Sequence, residues 1–279
     1  MIIEIKHWLN GNVIHSIEAD TLAKAVELLV ARGADLSYAD LRSANLRSAN
    51  LHSANLSSAN LHSANLSYAD LHSADLNSAD LSYADLRSAN LSYADLRSAN
   101  LNSADLRSAN LHSADLSYAD LRSADLNSAN LSSADLHSAD LRYANLSSAN
   151  LHSANLRSAD LSYADLHSVK NDLWAVLCTQ PLEVAGLRVA LIDGKVDGST
   201  YEGECACLVG TIANVAHCHY QSLPHLKPDS SRPIEVFFCS IRKGDTPDTN
   251  PFSKLAVEWI DEWSTLIFGV LEPKKVVQP

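Results

Sequence analysis

Leucine occupies position 36 and every fifth position after it as far as Leu166, 27 times without a break. Alanine stands two residues before each of these leucines, and the residue between them is always Asp or Asn. The two positions that follow come almost entirely from Ser, Arg, His, Asn and Tyr. On an α-helix, five residues advance a side chain about 140° past a full turn, so the leucines would wind around every side. On an extended strand, where side chains alternate, an odd spacing sends successive leucines to opposite faces. A chain that bends once per unit remains, turning Ala and Leu inward at each short extended piece and winding into a coil.

Stacked coils satisfy the backbone, because each peptide group bonds to the coil above or below at a spacing of about 4.8 Å. No Gly or Pro interrupts residues 34–166. The corners are therefore made by ordinary residues, with Ser, Asn and Asp supplying local side-chain hydrogen bonds. This composition predicts turns that need no positive φ.

Bare solenoid ends invite aggregation, so the flanks are expected to be caps. Two apolar-rich runs, Ile2 to Leu9 and Val13 to Glu18, are joined through Asn10-Gly11, a pair suited to a tight hairpin. Asp20 or Thr21 can cap a helix carrying Leu22, Ala25, Val26, Leu29 and Val30, with Gly33 at its end. After Leu166 the pattern fails at Val169 and Lys170, and all eight prolines and all five cysteines lie beyond it. The expected domains are a β-hairpin plus helix over 1–33, a β-solenoid over 34–169 and a mixed, mainly helical α+β domain over 170–279. Within the last, helical signals cover Asp172–Leu177, Leu182–Ile192 and a run from Asn250-Pro251 through Leu255, Trp259, Trp263 and Leu266. A strand is expected at Ile234–Ile241.

The Ala-(Asp/Asn)-Leu-x-(Ser/Tyr) run resembles the pentapeptide repeat family. The resemblance implies a mainly β, right-handed quadrilateral β-helix with 20 residues per coil, so 27 repeats make about seven coils. At that period the leucines from Leu51 onward stack His52, His72, Ser92, His112, Ser132 and His152 in one column. Beside it run Asn50, Asp70, Asn90, Asn110, Asn130 and Asn150, on a face with no arginine. His52, His72, His112, His152, Asn110 and Asn130 are therefore the candidate binding face, which histidine protonation could switch. Tyrosines at the second outward position fall on all four faces, which favours a structural role.

The family resemblance also implies a second possibility, mimicry of DNA against DNA gyrase. Duplex DNA carries about one charge per 1.7 Å, roughly 19 over a seven-coil length of about 32 Å. The repeats hold 15 Asp and eight Arg, a net of −7. A net charge of −12 argues against a protein that binds nucleic acid directly. No stretch is long and apolar enough for a membrane span, and residues 1–6 lack the start of a signal peptide, so a cytoplasmic setting is expected.

Cys205, Cys207, His217, Cys218 and His219 gather soft and borderline ligands within fifteen residues, a candidate zinc set whose spacing matches no common finger. Buried packing is the alternative for these cysteines. No oxyanion hole or orienting group accompanies them, so neither an enzyme nor a cofactor is expected. The stretch from Asp197 to Asn214, with Arg242 to Pro247, resembles a C-terminal module of phage and prophage pentapeptide repeat proteins. The expected function is that of a non-enzymatic protein-binding scaffold: a phage or prophage accessory acting on a host protein, with dimerisation through the C-terminal domain as a second role for that segment.

Overall fold

A computed structural model describes residues 1–200, 203, 207–223, 225–228 and 232–269. It separates into two units, residues 1–169 and 170–279.

The first unit opens with the antiparallel hairpin β1 (Ile2–Lys6) and β2 (Val13–Glu18), followed by α1 (Leu22–Ala31). Thr21 caps α1, its hydroxyl accepting the Lys24 N–H. From Asp35 the chain winds into coils in which residue i bridges residue i+20 in parallel, from Asp35–Asn55 to Asn145–Asp165. Each Leu N–H bonds the Asp or Asn carbonyl 19 residues on, and each Asp or Asn N–H from Asn60 onward bonds the Ala carbonyl 21 residues back, at 2.6–3.0 Å. Four repeats thus close one coil of a quadrilateral β-helix.

Each position of the repeat has one job. The leucines from Leu36 to Leu146 are 0–1% exposed and the alanines at most 4%, so the interior is filled without polar groups. The Asp or Asn Oδ1 accepts the N–H two residues on, as Asn65 does from Ser67 at 3.0 Å, which fixes the bend before each corner. An Ala N–H donating to the preceding Leu carbonyl then closes the corner.

The corner residue departs from the sequence expectation. Every Ser or Tyr at the last position of the repeat, from Tyr38 to Tyr163, has φ between 54° and 62°. Such left-handed backbone normally falls to Gly or Asn and costs a residue with Cβ about 1–2 kcal/mol. Coil stacking holds it there: Ser43 N–H, for example, donates to the His62 carbonyl at 2.9 Å, a bond available only with the corner in this shape.

The hairpin and helix complete the first coil. Asp40 N–H donates to the Lys6 carbonyl, Trp8 N–H to Tyr38, and the Trp8 indole to Ser58. Glu27 Oε1 of α1 accepts the Asn50 N–H at 3.0 Å, standing in for the carbonyl that a preceding coil would supply.

The second unit contains, among the described residues, helices and one 3₁₀ turn: α2 (His167–Thr179, which begins at the end of the first unit), α3 (Val184–Ile192), α4 (Leu208–Val215), Tyr220–Ser222, α5 (Pro233–Phe238) and α6 (Pro251–Phe268). The strand expected at Ile234–Ile241 is mostly helix α5. Pro233 starts that helix, and Asp172 accepts the Ile234 N–H at 3.1 Å while pairing with Arg232. Tertiary capping thus overrides the β propensity of the run Ile-Glu-Val-Phe-Phe. In α6 the Asn250 side chain caps as expected, but Leu266 is 64% exposed, and the buried stripe is Phe252, Ala256, Trp259, Ile260 and Trp263. Phe237 packs edge-on against Phe252, with ring centres 4.6 Å apart.

Candidate functional site

With the solenoid interior filled, its chemistry lies on four columns of outward side chains, and these hold together by two kinds of physics. On three faces, an Asp directly above another Asp puts like charges one strand spacing apart. Arginine resolves most of these steps. Arg122 pairs with Asp120 and reaches Asp140, and Arg142 pairs with Asp140 and reaches Asp160. Arg87, Arg97 and Arg107 bridge Asp85–Asp105, Asp95–Asp115 and Asp105–Asp125 in the same way.

The hydrogen-bonded guanidiniums of Arg42, Arg87, Arg97, Arg122 and Arg142 hold Asp40, Asp85, Asp95, Asp120 and Asp140 below the usual carboxylate range. This rule was legible in the sequence, as an arginine two residues after an Asp whose neighbour 20 residues on is also Asp. Arg47 shares a column with Arg87 and Arg107 but follows Asn45, so the rule does not reach it. Arg47 instead lies over the Tyr68 ring at 4.8 Å. At most steps where Asn follows Asp, the amide donates to the carboxylate, as Asn100 does to Asp80 at 3.1 Å.

The histidine face is built differently. Asn90 donates its amide to Asp70, Asn110 to Asn90, Asn130 to Asn110 and Asn150 to Asn130, at 3.0–3.3 Å. Asn110 and Asn130 are therefore internal rungs of a side-chain ladder. Next to it, His52 and His72 stack with ring centres 5.1 Å apart and planes 5° apart. His72 Nδ1 lies 2.8 Å from Ser92 Oγ, and His112 Nδ1 lies 2.9 Å from Ser132 Oγ. Tyr93 meets both His72 and His112 edge-on at 5.4 Å. Five of the six expected residues thus join one network of ladder and rings. His152, by contrast, is an exposed side chain whose backbone N–H bonds Asn150.

The cysteine and histidine set of the second unit is not brought together among the described residues, where no three His, Cys, Asp or Glu side chains cluster around a potential ion. Cys205 lies outside the described residues. Cys207 is buried at the start of α4, and burial, helped by the Glu235 charge, pushes its thiol up to about 12, far from a reactive thiolate. Cys218 is exposed, as are His217 and His219. Of the Asp197–Asn214 stretch, residues 201–202 and 204–206 also lie outside the described residues. Among the described residues no helix is long and apolar enough to cross a membrane.

The family model described as pentapeptide repeats matches in eight copies, over residues 30–62, 54–92, 89–127 and 129–167. No curated protein matches the chain. Among solved structures, the pentapeptide repeat protein Rfr23 of the cyanobacterium Cyanothece 51142 is 37% identical, over 33% of this chain and 60% of its own length, with a TM-score of 0.31. HetL of Nostoc sp. strain PCC 7120, a pentapeptide repeat protein involved in heterocyst differentiation regulation, is 40% identical over 48% of this chain and 79% of its own, with a TM-score of 0.24. QnrB1, a plasmid-mediated fluoroquinolone resistance protein, is 17% identical over 38% of this chain and 62% of its own, with a TM-score of 0.22.

Proposed function

Since the chain belongs, through residues 30–167, to the pentapeptide repeat family, we propose that it is a non-enzymatic binding protein whose solenoid offers its histidine face to a partner protein. The observation that carries this reading is the contrast between faces. On three faces most of the aspartates and arginines stand in Arg–Asp pairs, whereas the repeats of the fourth hold no arginine and a single acid, Asp70. That fourth face presents amides, imidazoles and a tyrosine 56% exposed, Tyr93. Such groups recognise a partner by hydrogen bonds and aromatic contact at small desolvation cost.

The test uses the full chain as bait, in parent form and with two paired substitutions. Asn110→Asp with His112→Arg converts the histidine face to the Arg–Asp kind. Asn100→Asp with Asn102→Arg makes the same change on another face. A partner retained by the second variant and lost by the first is the expected result; equal capture by both contradicts the proposal.

Gyrase-directed DNA mimicry is the alternative, and the charge pattern supports it less. The most acidic face, that of Leu36, carries five Asp and two Arg, and the arginines interrupt the continuous Asp columns. The chain is expected to leave gyrase supercoiling unchanged, and inhibition would reverse the order of the two readings. An accessory role in a phage or prophage is the setting that the Asp197–Asn214 resemblance suggests for the same binding function.

A further inference from the structure

We propose that His52 and His72 form a binding site for a divalent transition-metal cation of the zinc class on the solenoid surface. The site belongs to the first unit and uses none of the cysteines, and it does not depend on the partner-binding proposal. Two features carry it.

The first is spacing. Two imidazoles that share one tetrahedral ion, with metal–nitrogen bonds of about 2.0 Å, hold their ring centres roughly 5 Å apart. The His52 and His72 rings are 5.1 Å apart, on adjacent coils of one column. They are nearly parallel, so their Nε2 lone pairs do not converge as they stand; His52 is exposed, and rotation of its side chain alone, with His72 kept on Ser92, brings its Nε2 toward an ion at the His72 Nε2. Water fills the remaining positions, one more than in an open zinc site with three protein ligands.

The second feature is the tautomer of His72. Ser92 Oγ donates its one proton to Asn90 Oδ1 at 2.7 Å, so toward His72 Nδ1 it can only accept. The Asn90 amide is oriented in turn, because its Nδ2 donates to Asp70 while its Oδ1 receives Asn110. His72 therefore carries its proton on Nδ1, and the Nε2 lone pair is left available. An outer hydrogen bond that fixes ring and tautomer in this way is what accompanies metal-ligating histidines. Asp70 adds a negative charge to the face, and its Oδ1 accepts the His72 backbone N–H at 3.1 Å.

The column contains its own control. His112 has Ser92 and Ser132 as its column neighbours and so has no second imidazole within reach. Zn²⁺ alone is titrated into the full, untagged chain while the histidine ring NMR signals are followed. The His52 and His72 signals are expected to shift together, ahead of those of His112, His137 and His152. His52→Ser, which installs a residue the column already uses at 92 and 132, should abolish the early response of His72. Ser92→Ala should weaken the response about tenfold, with both ligands still present. A His72 shift that survives His52→Ser, or one that comes no earlier than that of His112, overturns the proposal.

Discussion

The histidine face and the face of Leu41 share one backbone and one interior, yet their side-chain columns are held by opposite means. Around Leu121 and Leu141, Asp120, Asp140 and Asp160 are stacked charges bridged by Arg122 and Arg142. Around Leu111 and Leu131, Asn90, Asn110, Asn130 and Asn150 pass a neutral amide ladder from coil to coil. Leu111 and Leu121 are equally buried. The lesson is that the repeat specifies the coil through Ala, Leu and the corner, which leaves each face free to carry different chemistry.

The largest effects should ignore the difference between faces. Leu111→Ala and Leu121→Ala each remove a fully buried side chain from the same kind of layer, at an expected cost of about 2–5 kcal/mol in urea denaturation. Costs differing by more than about 1 kcal/mol would mean that the faces do not share one interior. Corner substitutions come next. Ser123→Val and Ser113→Val force a β-branched residue to positive φ and are each expected to lose about 1–3 kcal/mol, again alike on the two faces.

Effects that separate the faces should be smaller. Arg122→Gln leaves Asp120 and Asp140 stacked without a bridge, so the denaturation midpoint should fall, and fall less at high salt because these groups are exposed. Acid should act with the same selectivity. Asp120 and Asp140 have folded-state pKa values lowered by their arginine partners, so below the unfolded value near 4 the unfolded chain binds more protons. Their stabilisation is fully present above about pH 4 and is lost as pH falls through the folded-state values. A thermal-unfolding series is therefore expected to drop below pH 4, and Asp140→Asn should make that drop shallower. Asn130→Ser, on the neutral ladder, should leave its shape unchanged.

The solenoid was readable because a five-residue period admits few conformations, and because Asn10-Gly11 and Thr21 are strong local signals for the cap. The left-handed corner was not readable, because Ser and Tyr do not announce positive φ; the coil-to-coil bonds of a structure already formed impose it. The candidate face was legible as a column once the 20-residue period was set, but the roles of its members were not. Asn110 could be placed beside His112, yet only the Asn90 and Asn130 contacts reveal it as a rung. In the second unit, the run from Ile234 to Phe238 reads as strand in isolation and becomes helix because Asp172, some sixty residues away, caps it.

The central claim is that one face of the solenoid carries recognition. It is tested most directly within a single coil, by placing a photoreactive amino acid in turn at Ser132, His137, Arg142 and Ser147, one on each face, in the full chain exposed to an extract of its source cell. One partner protein crosslinked through position 132 and through none of the other three is the predicted result. Crosslinking through positions 137, 142 or 147 with equal or greater yield would contradict it.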